Sequence, residues 1–122
     1  DGRQVRDILD VGDAVNAYVA ALDNIDHIAG SAFNLGGGPA NAISLLELIG
    51  EMRGIIGRDI DLRFEEWRQG DQRWFVADTS KARATLGLPK PRGWRDGVAA
   101  LAEWLASERG FELQAELASA AE

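Results

Sequence analysis

Three groups of residues in this chain have types and spacings that could do chemistry. The first is "FNLGGGPANAISLLELIG", where an apolar run meets Gly36, Gly37 and Gly38, a helical pattern follows, and Asp59, Asp61 and Glu65 come later. Glycines between a strand and a helix let a backbone touch a pyrophosphate, and a downstream carboxylate can hold the ribose. The second is Arg6 in "QVRDILDVGD" with Arg68 and Asp71 in "WRQGDQRWFVADTSKA". Two guanidinium forks match phosphate oxygens, and an ionised carboxylate accepts from hydroxyls. The third is the general acid–base and metal-ligand set, which is sparse: one histidine, His27, one tyrosine, Tyr18, and no cysteine. Cysteine metal sites, thiolate nucleophiles, disulfides and histidine-rich metal sites are thereby excluded. His27 lies in the polar stretch "DNIDHIAG" and is expected in a loop.

The glycine triplet does not have the form a dinucleotide requires. Gly36-Gly37-Gly38-Pro39-Ala40-Asn41 lacks the third glycine of G-x-G-x-x-G. The loop would also have to open directly into a helix whose free N–H groups face the phosphates. Instead, Ser44 and Glu47 form a capping-box pattern that starts the helix at Ser44 and uses two of those donors, with five residues, Pro39 to Ile43, between it and the glycines. The triplet is therefore expected to be a tight strand exit. Arg68-Gln-Gly-Asp71 taken alone is a surface turn, with Gly70 permitting the backbone and Asp71 bonding locally.

The elements that must position these groups alternate along the chain. "QVRDILDV" is expected to be a short strand through Val5, Ile8, Leu9 and Val11, followed by a helix in "GDAVNAYVAALDNI". There, Val15, Tyr18, Val19 and Leu22 share one face, which makes Tyr18 a core residue, and Asp13 stands at the helix start. "SAFNLG" predicts a brief strand. "SLLELIGEMRGIIG" predicts a helix from Ser44 to Gly57, and "RDIDLRFEEW" a strand that buries Ile60, Leu62 and Phe64. Trp74 is expected to be a core aromatic, with stacking on a base as its alternative role. "DTSKARATLGL" predicts a short helix capped by Asp78 or Thr79 and stopped by Gly87, with Pro89 and Pro91 forming a rigid link. A last helix carries Trp94, Val98, Leu101 and Leu105 and ends at Gly110. The fold class is α/β, short strands alternating with amphipathic helices. Residues 109–122 are an acidic, alanine-rich tail, frayed or loosely helical.

Composition bounds the rest. At 122 residues and 46% hydrophobic content, the chain supports one core. Its net charge of −7, without a basic run, argues against a nucleic-acid partner, and no apolar stretch approaches the length of a membrane span. Absence of cysteine fits a cytoplasmic location. The chain opens on Asp1 inside structured sequence, as a piece of a longer protein or a trimmed one would.

The ordered set "G-x-Q-V-R-D-x-x-x-V-x-D", then "F-N-L-G-G-G", then "R-x-G-D-Q-R-x-x-x-A-D-T-S-K-A-x-x-x-L-G" resembles the C-terminal, substrate-binding lobe of the NAD-dependent nucleotide-sugar epimerase/dehydratase family, the extended short-chain dehydrogenases. Within it, the stretch is most similar to the branch of the CDP-paratose (tyvelose) 2-epimerases. The resemblance runs from Gly2 to about Ala106 and implies a lobe over residues 1–108 with the Rossmann half absent. It implies that Arg6 and Arg68 contact the substrate diphosphate and that Asp71 accepts from ribose hydroxyls. Asp7 and Asp13 are expected to be structural, Asp7 as the partner of a nearby cation or backbone donor. NAD would be bound by the N-terminal half of the parent, with a nucleotide sugar as substrate and dimers common in the family. The family's Tyr-x-x-x-Lys pair is not found: four positions after Tyr18 stands Leu22. The chain alone is thus expected to be inactive, with no catalytic residue of its own. The parent is expected to be an epimerase. A 4,6-dehydratase or reductase lobe, or a free-standing non-catalytic binding module, are the alternatives.

Overall fold

The computed structural model describes residues 1–113. Its centre is a three-stranded sheet in the order β2-β1-β3, with β1 at Val5–Asp7, β2 at Ala42–Ser44 and β3 at Trp74–Phe75. β1 pairs antiparallel with β2, placing Arg6 opposite Ile43, and parallel with β3, placing Arg6 opposite Phe75. Among the described residues, five α-helices flank it: α1 (Val11–Asp23), α2 (Ile25–Ile28), α3 (Leu45–Ile56), α4 (Ser80–Leu86) and α5 (Trp94–Arg109). None of them is long and apolar enough to cross a membrane. This is the expected α/β alternation. The tail expected from residue 109 lies, from residue 114 on, outside the described residues.

Local chemistry sets most helix ends. At α3, Glu47 Oε2 accepts from the Ser44 N–H at 2.8 Å, and Ser44 Oγ accepts from the Glu47 N–H at 3.2 Å, so the capping box is formed. The Ser44 N–H foremost, and then the Ser44 hydroxyl donating to the same Oε2 at 2.7 Å, hold the Glu47 carboxyl below the usual range for a glutamate. α4 begins after Thr79 and ends at Gly87, and the Asp78 carboxylate accepts from the Ser80 N–H at 3.0 Å. α1 differs from expectation. Its cap is Asp10, which accepts from the Gly12 N–H at 2.8 Å, and Val11 is the first helical residue and not the end of a strand. Asp13 stands in the first turn, as expected, but accepts from the Arg92 N–H at 2.7 Å, which ties α1 to the segment before α5. His27, expected in a loop, is an exposed residue of the one-turn helix α2.

The core is small: Ala17, Ile28, Ile43, Ile55, Ala77, Ala82 and Trp94 are its buried apolar members. Two of the alanines, Ala17 in α1 and Ala82 in α4, let helices approach closely. α1 turns its alanine stripe inward, with Ala17 buried and Ala14 and Ala21 half-buried. Its large apolar face points away. Val11, Val15, Tyr18, Val19 and Leu22 are 52% to 77% exposed, so Tyr18 is a surface residue and not a core one. Periodicity establishes which residues share a face; what covers that face depends on neighbours the period does not name.

Two expected strands are not formed. Residues 31–35 have no ladder partner and are held by side chains, the Lys81 ammonium donating to the Ala32 carbonyl at 2.9 Å and resting 4.8 Å from the centre of the Phe33 ring. Residues 58–66 also form no strand, and Phe64 is 61% exposed. Alternation gives a strand a face, but a ladder also needs a partner, and the central strand β1 already has β2 and β3 on its two sides while neither segment pairs with their outer edges. The edge place goes to Trp74 and Phe75, so Trp74 is 67% exposed where a core position was expected.

Candidate functional site

Arg6 and Asp7 are adjacent on β1, and a strand sends successive side chains to opposite faces. Asp7 faces the glycines. Its Oδ2 accepts from the Gly38 N–H at 2.9 Å and from the Ala77 N–H at 3.2 Å, fastening the triplet and the segment after β3 to the central strand. This is the structural, backbone-bonding role expected of Asp7.

The same packing settles what the glycines do. Gly36, Gly37 and Gly38 are all buried. A Cβ on Gly37 would collide with the Ile8 carbonyl, and one on Gly36 would collide with the Asp7 carboxylate and lie 2.7 Å from the Ala77 Cβ. Asn41, three residues on, is buried as well, its amide donating to the Arg92 carbonyl at 2.8 Å and accepting from the Trp94 N–H at 3.0 Å. Between the glycines and α3 lie a 3-10 turn, Pro39–Asn41, and β2. The triplet is filled by protein and does not open a helix, so these residues do not fit a bound dinucleotide.

Arg6 projects to the other side. Its Nη1 donates to the Val5 carbonyl at 2.8 Å and its Nη2 to Asp71 Oδ1 at 2.9 Å, across 65 positions of sequence. Asp71 belongs to a turn closed by its own N–H donating to the Arg68 carbonyl at 3.2 Å, with Gly70 at φ +85° where a side chain would be strained. The structure therefore brings Arg6 and Asp71 into contact and puts Arg68 in the same turn as Asp71. Arg68 is exposed, and its guanidinium makes no hydrogen bond or ion pair among the described residues. Arg68 and Asp71 both line a groove of about 370 Å³ that also includes Gln4, Leu62, Phe64 and Trp67. In an adjoining groove, which Trp67 also lines, the Arg73 guanidinium sits 5.7 Å from the centre of the Trp67 ring. The lining of the first groove mixes charges, with Arg63 and Arg68 as cationic forks and Asp1, Glu65, Glu66 and Asp71 as carboxylates, and Arg6 stands beside it bonded to Asp71; guanidinium forks suit phosphate oxygens and carboxylates suit hydroxyls. Among the described residues, no group of three or more metal-ligating side chains is present.

Sequence reasoning missed Asn41, because its bonds to Arg92 and Trp94 cross 51 and 53 positions and leave no local pattern. It also left Trp67 without a role; its only local hint was an aromatic beside the R-x-G-D turn.

No protein-family model matches the chain. CDP-paratose 2-epimerase of Salmonella typhi is 38% identical over 109 residues, 88% of this chain and 32% of that enzyme. UDP-glucose 4-epimerase of Bacillus subtilis (strain 168) is 33% identical over 108 residues, again 88% of this chain and 31% of the relative. This chain is homologous to the C-terminal part of the NAD-dependent nucleotide-sugar epimerases. Among solved structures, UDP-glucuronic acid 4-epimerase from Bacillus cereus, in complex with UDP-glucuronic acid and NAD, superposes with a TM-score of 0.78 at 29% identity, covering 88% of this chain and 34% of that one. UDP-glucose-4-epimerase from Stenotrophomonas maltophila, with bound NAD and formylated UDP-arabinopyranose, gives 0.75 at 31% identity, with 90% and 32% covered. The chain thus spans about a third of the length of the epimerases it matches.

Proposed function

We propose that this chain is the substrate-binding lobe of an NAD-dependent nucleotide-sugar epimerase, in which Arg6 and Arg68 hold the substrate diphosphate and Asp71 accepts from ribose hydroxyls. The observation that carries the reading is the 2.9 Å contact between Arg6 and Asp71, which joins two motifs 65 residues apart beside the groove that Arg68 and Asp71 line. Residues 1–108 make up the lobe in this reading, with 109–122 a tail outside it. NAD would be bound by the part of the parent that precedes this lobe and would supply the transient oxidation of a sugar hydroxyl. The lobe's own residues bind and orient: two guanidinium groups fix the diphosphate, and the sugar is thereby delivered towards the cofactor half.

The exposed face of α1 supports the same reading. Val11, Val15, Tyr18, Val19 and Leu22 form a contiguous apolar stripe of the kind that a partner surface covers. The N-terminal Rossmann half of the parent is the partner proposed for it. A cytoplasmic location and a homodimeric parent belong to the same proposal. Epimerisation is preferred to dehydration or reduction because the relatives above are epimerases, although the lobe's motifs alone do not separate these chemistries.

Titration calorimetry with CDP, UDP and dTDP tests the site. The expected result is binding of at least one nucleoside diphosphate that is lost in Arg6→Ala and in Arg68→Ala. Undiminished binding in Arg68→Ala would overturn the assignment.

A further inference from the structure

We infer that Asp71 is a positioning residue, whose carboxylate clips the Arg68 turn to β1 and so sets the spacing of the two arginines. The inference rests on the diphosphate reading above and assigns Asp71 a role that contact with a ribose does not contain.

The segment that carries Arg68 is loosely built. Residues 61–72 form no helix or strand. Among the described residues, the hydrogen bond from Arg6 to Asp71 is the only one that joins 61–72 to the rest of the chain. Asp71 Oδ1 makes two bonds at once, accepting from Arg6 at 2.9 Å and from the Gln72 N–H at 3.0 Å, while the Asp71 N–H closes the turn on the Arg68 carbonyl. One oxygen therefore locks both the turn's conformation and its attachment to β1.

The clip leaves both side chains competent to bind ligand. Arg6 spends one N–H on the Val5 carbonyl and one on Asp71, keeping three of its five donors. Asp71 Oδ2 makes no hydrogen bond among the described residues and stays available to a hydroxyl. The side chains are 34% and 40% exposed, so a ligand reaches them without unpacking the core. The arrangement fixes a guanidinium in advance of binding, which lowers the ordering cost when the anion arrives.

Charge alone and positioning predict opposite signs. A carboxylate next to a diphosphate repels it, so if charge were all that mattered, removing the carboxylate would tighten anion binding. If Asp71 positions Arg68, removing it loosens the turn and weakens binding. Inorganic pyrophosphate is the decisive probe, because it has no ribose for Asp71 to contact. Calorimetry of the 122-residue chain is expected to show pyrophosphate binding about tenfold weaker in Asp71→Ala, with partial recovery in Asp71→Asn, whose amide oxygen still accepts from Arg6. In Arg6→Ala, adding Asp71→Ala is expected to cause little further loss, since the clip is already broken. Hydrogen exchange at Asp71 and Gln72 is expected to accelerate in Asp71→Ala while the helices stay protected. Pyrophosphate binding equal to or tighter than wild type in both Asp71 variants would overturn the inference while leaving the diphosphate site intact. Absence of pyrophosphate binding in the wild type, or equal binding in Arg68→Ala, would overturn the site assignment itself and the clip with it.

Discussion

Asn41 is the residue whose loss should cost this fold most for the fewest atoms removed. It is 3% exposed, and its amide answers two backbone groups of the segment entering α5: Nδ2 donates to the Arg92 carbonyl at 2.8 Å, and Oδ1 accepts from the Trp94 N–H at 3.0 Å. Its own carbonyl accepts from the Ile8 N–H at 3.0 Å, just past β1. Asn41→Ala keeps that backbone bond and strands the other two groups. A buried donor or acceptor left unpaired costs about 1–3 kcal/mol. The Trp94 N–H is buried and bears the full penalty, whereas the Arg92 carbonyl is partly accessible to water, so the sum is about 2–4 kcal/mol. Domains of this kind have only about 5–15 kcal/mol in total. With a urea dependence of about 1–3 kcal/mol per molar, the unfolding midpoint should fall by about 1 M or more. Asn41→Asp should be at least as damaging at neutral pH, because its second oxygen faces the Arg92 carbonyl with no proton between them. That variant should recover on acidification, as a protonated carboxyl can donate where the amide did. Urea unfolding followed by tryptophan fluorescence measures both variants. A midpoint shift in Asn41→Ala below about 0.3 M would refute the reasoning, since a pair of stranded groups cannot cost so little unless water reaches them.

Gly37→Ala should fail to fold, because its Cβ collides with the Ile8 carbonyl, a backbone atom that cannot swing aside; Gly50→Ala in α3, where a Cβ meets nothing within 4 Å, should fold and gain slightly in stability. Circular dichroism of the two variants side by side checks the contrast. The Glu47 carboxyl is lowered in the folded state by its bonds to Ser44, so its contribution is present above the ordinary glutamate range and lost as pH falls through the depressed folded value. In an acid titration of stability, Glu47→Gln should flatten that part of the profile; an unchanged profile would show that the capping box is not coupled to folding. Replacing Tyr18 and Leu22 by serine should leave the unfolding midpoint within experimental error and reduce self-association at high concentration, as read by light scattering, since both side chains are at least 70% exposed.

The legible parts of this molecule are those fixed by bonds spanning a few residues. The capping box at Ser44 and Glu47, the end of α3 at Gly57 and the end of α4 at Gly87 all lie where the sequence predicts them, because each is decided within one helical turn. So was the negative result at the glycines, whose distance from the start of α3 could be counted directly. Asn41 was illegible for the opposite reason, as its partners lie more than 50 positions away. The corner of Arg6, Arg68 and Asp71 is intermediate. Residue chemistry suggested a phosphate, but nothing local in either motif requires that Arg6 meet Asp71.

The misplaced elements have a common physical cause. The α1 stripe, the extended residues 31–35 and the alternating residues 58–66 all carry patterns that specify a buried face or a paired edge. Within the described residues, none of the three finds the surface that would satisfy it. In α1 the consequence is plainest, since the helix does pack, but on its alanines, leaving side chains as large as Tyr18 in water. A sequence that placed five large apolar residues on one stripe solely to expose them would forgo, for each, about 1.5–3 kcal/mol of burial. That loss is sensible only if the stripe is buried in the working protein, and the matching epimerases are about three times as long as this chain. The proposed NAD-binding half therefore accounts both for the missing chemistry and for a surface that this lobe leaves unfinished.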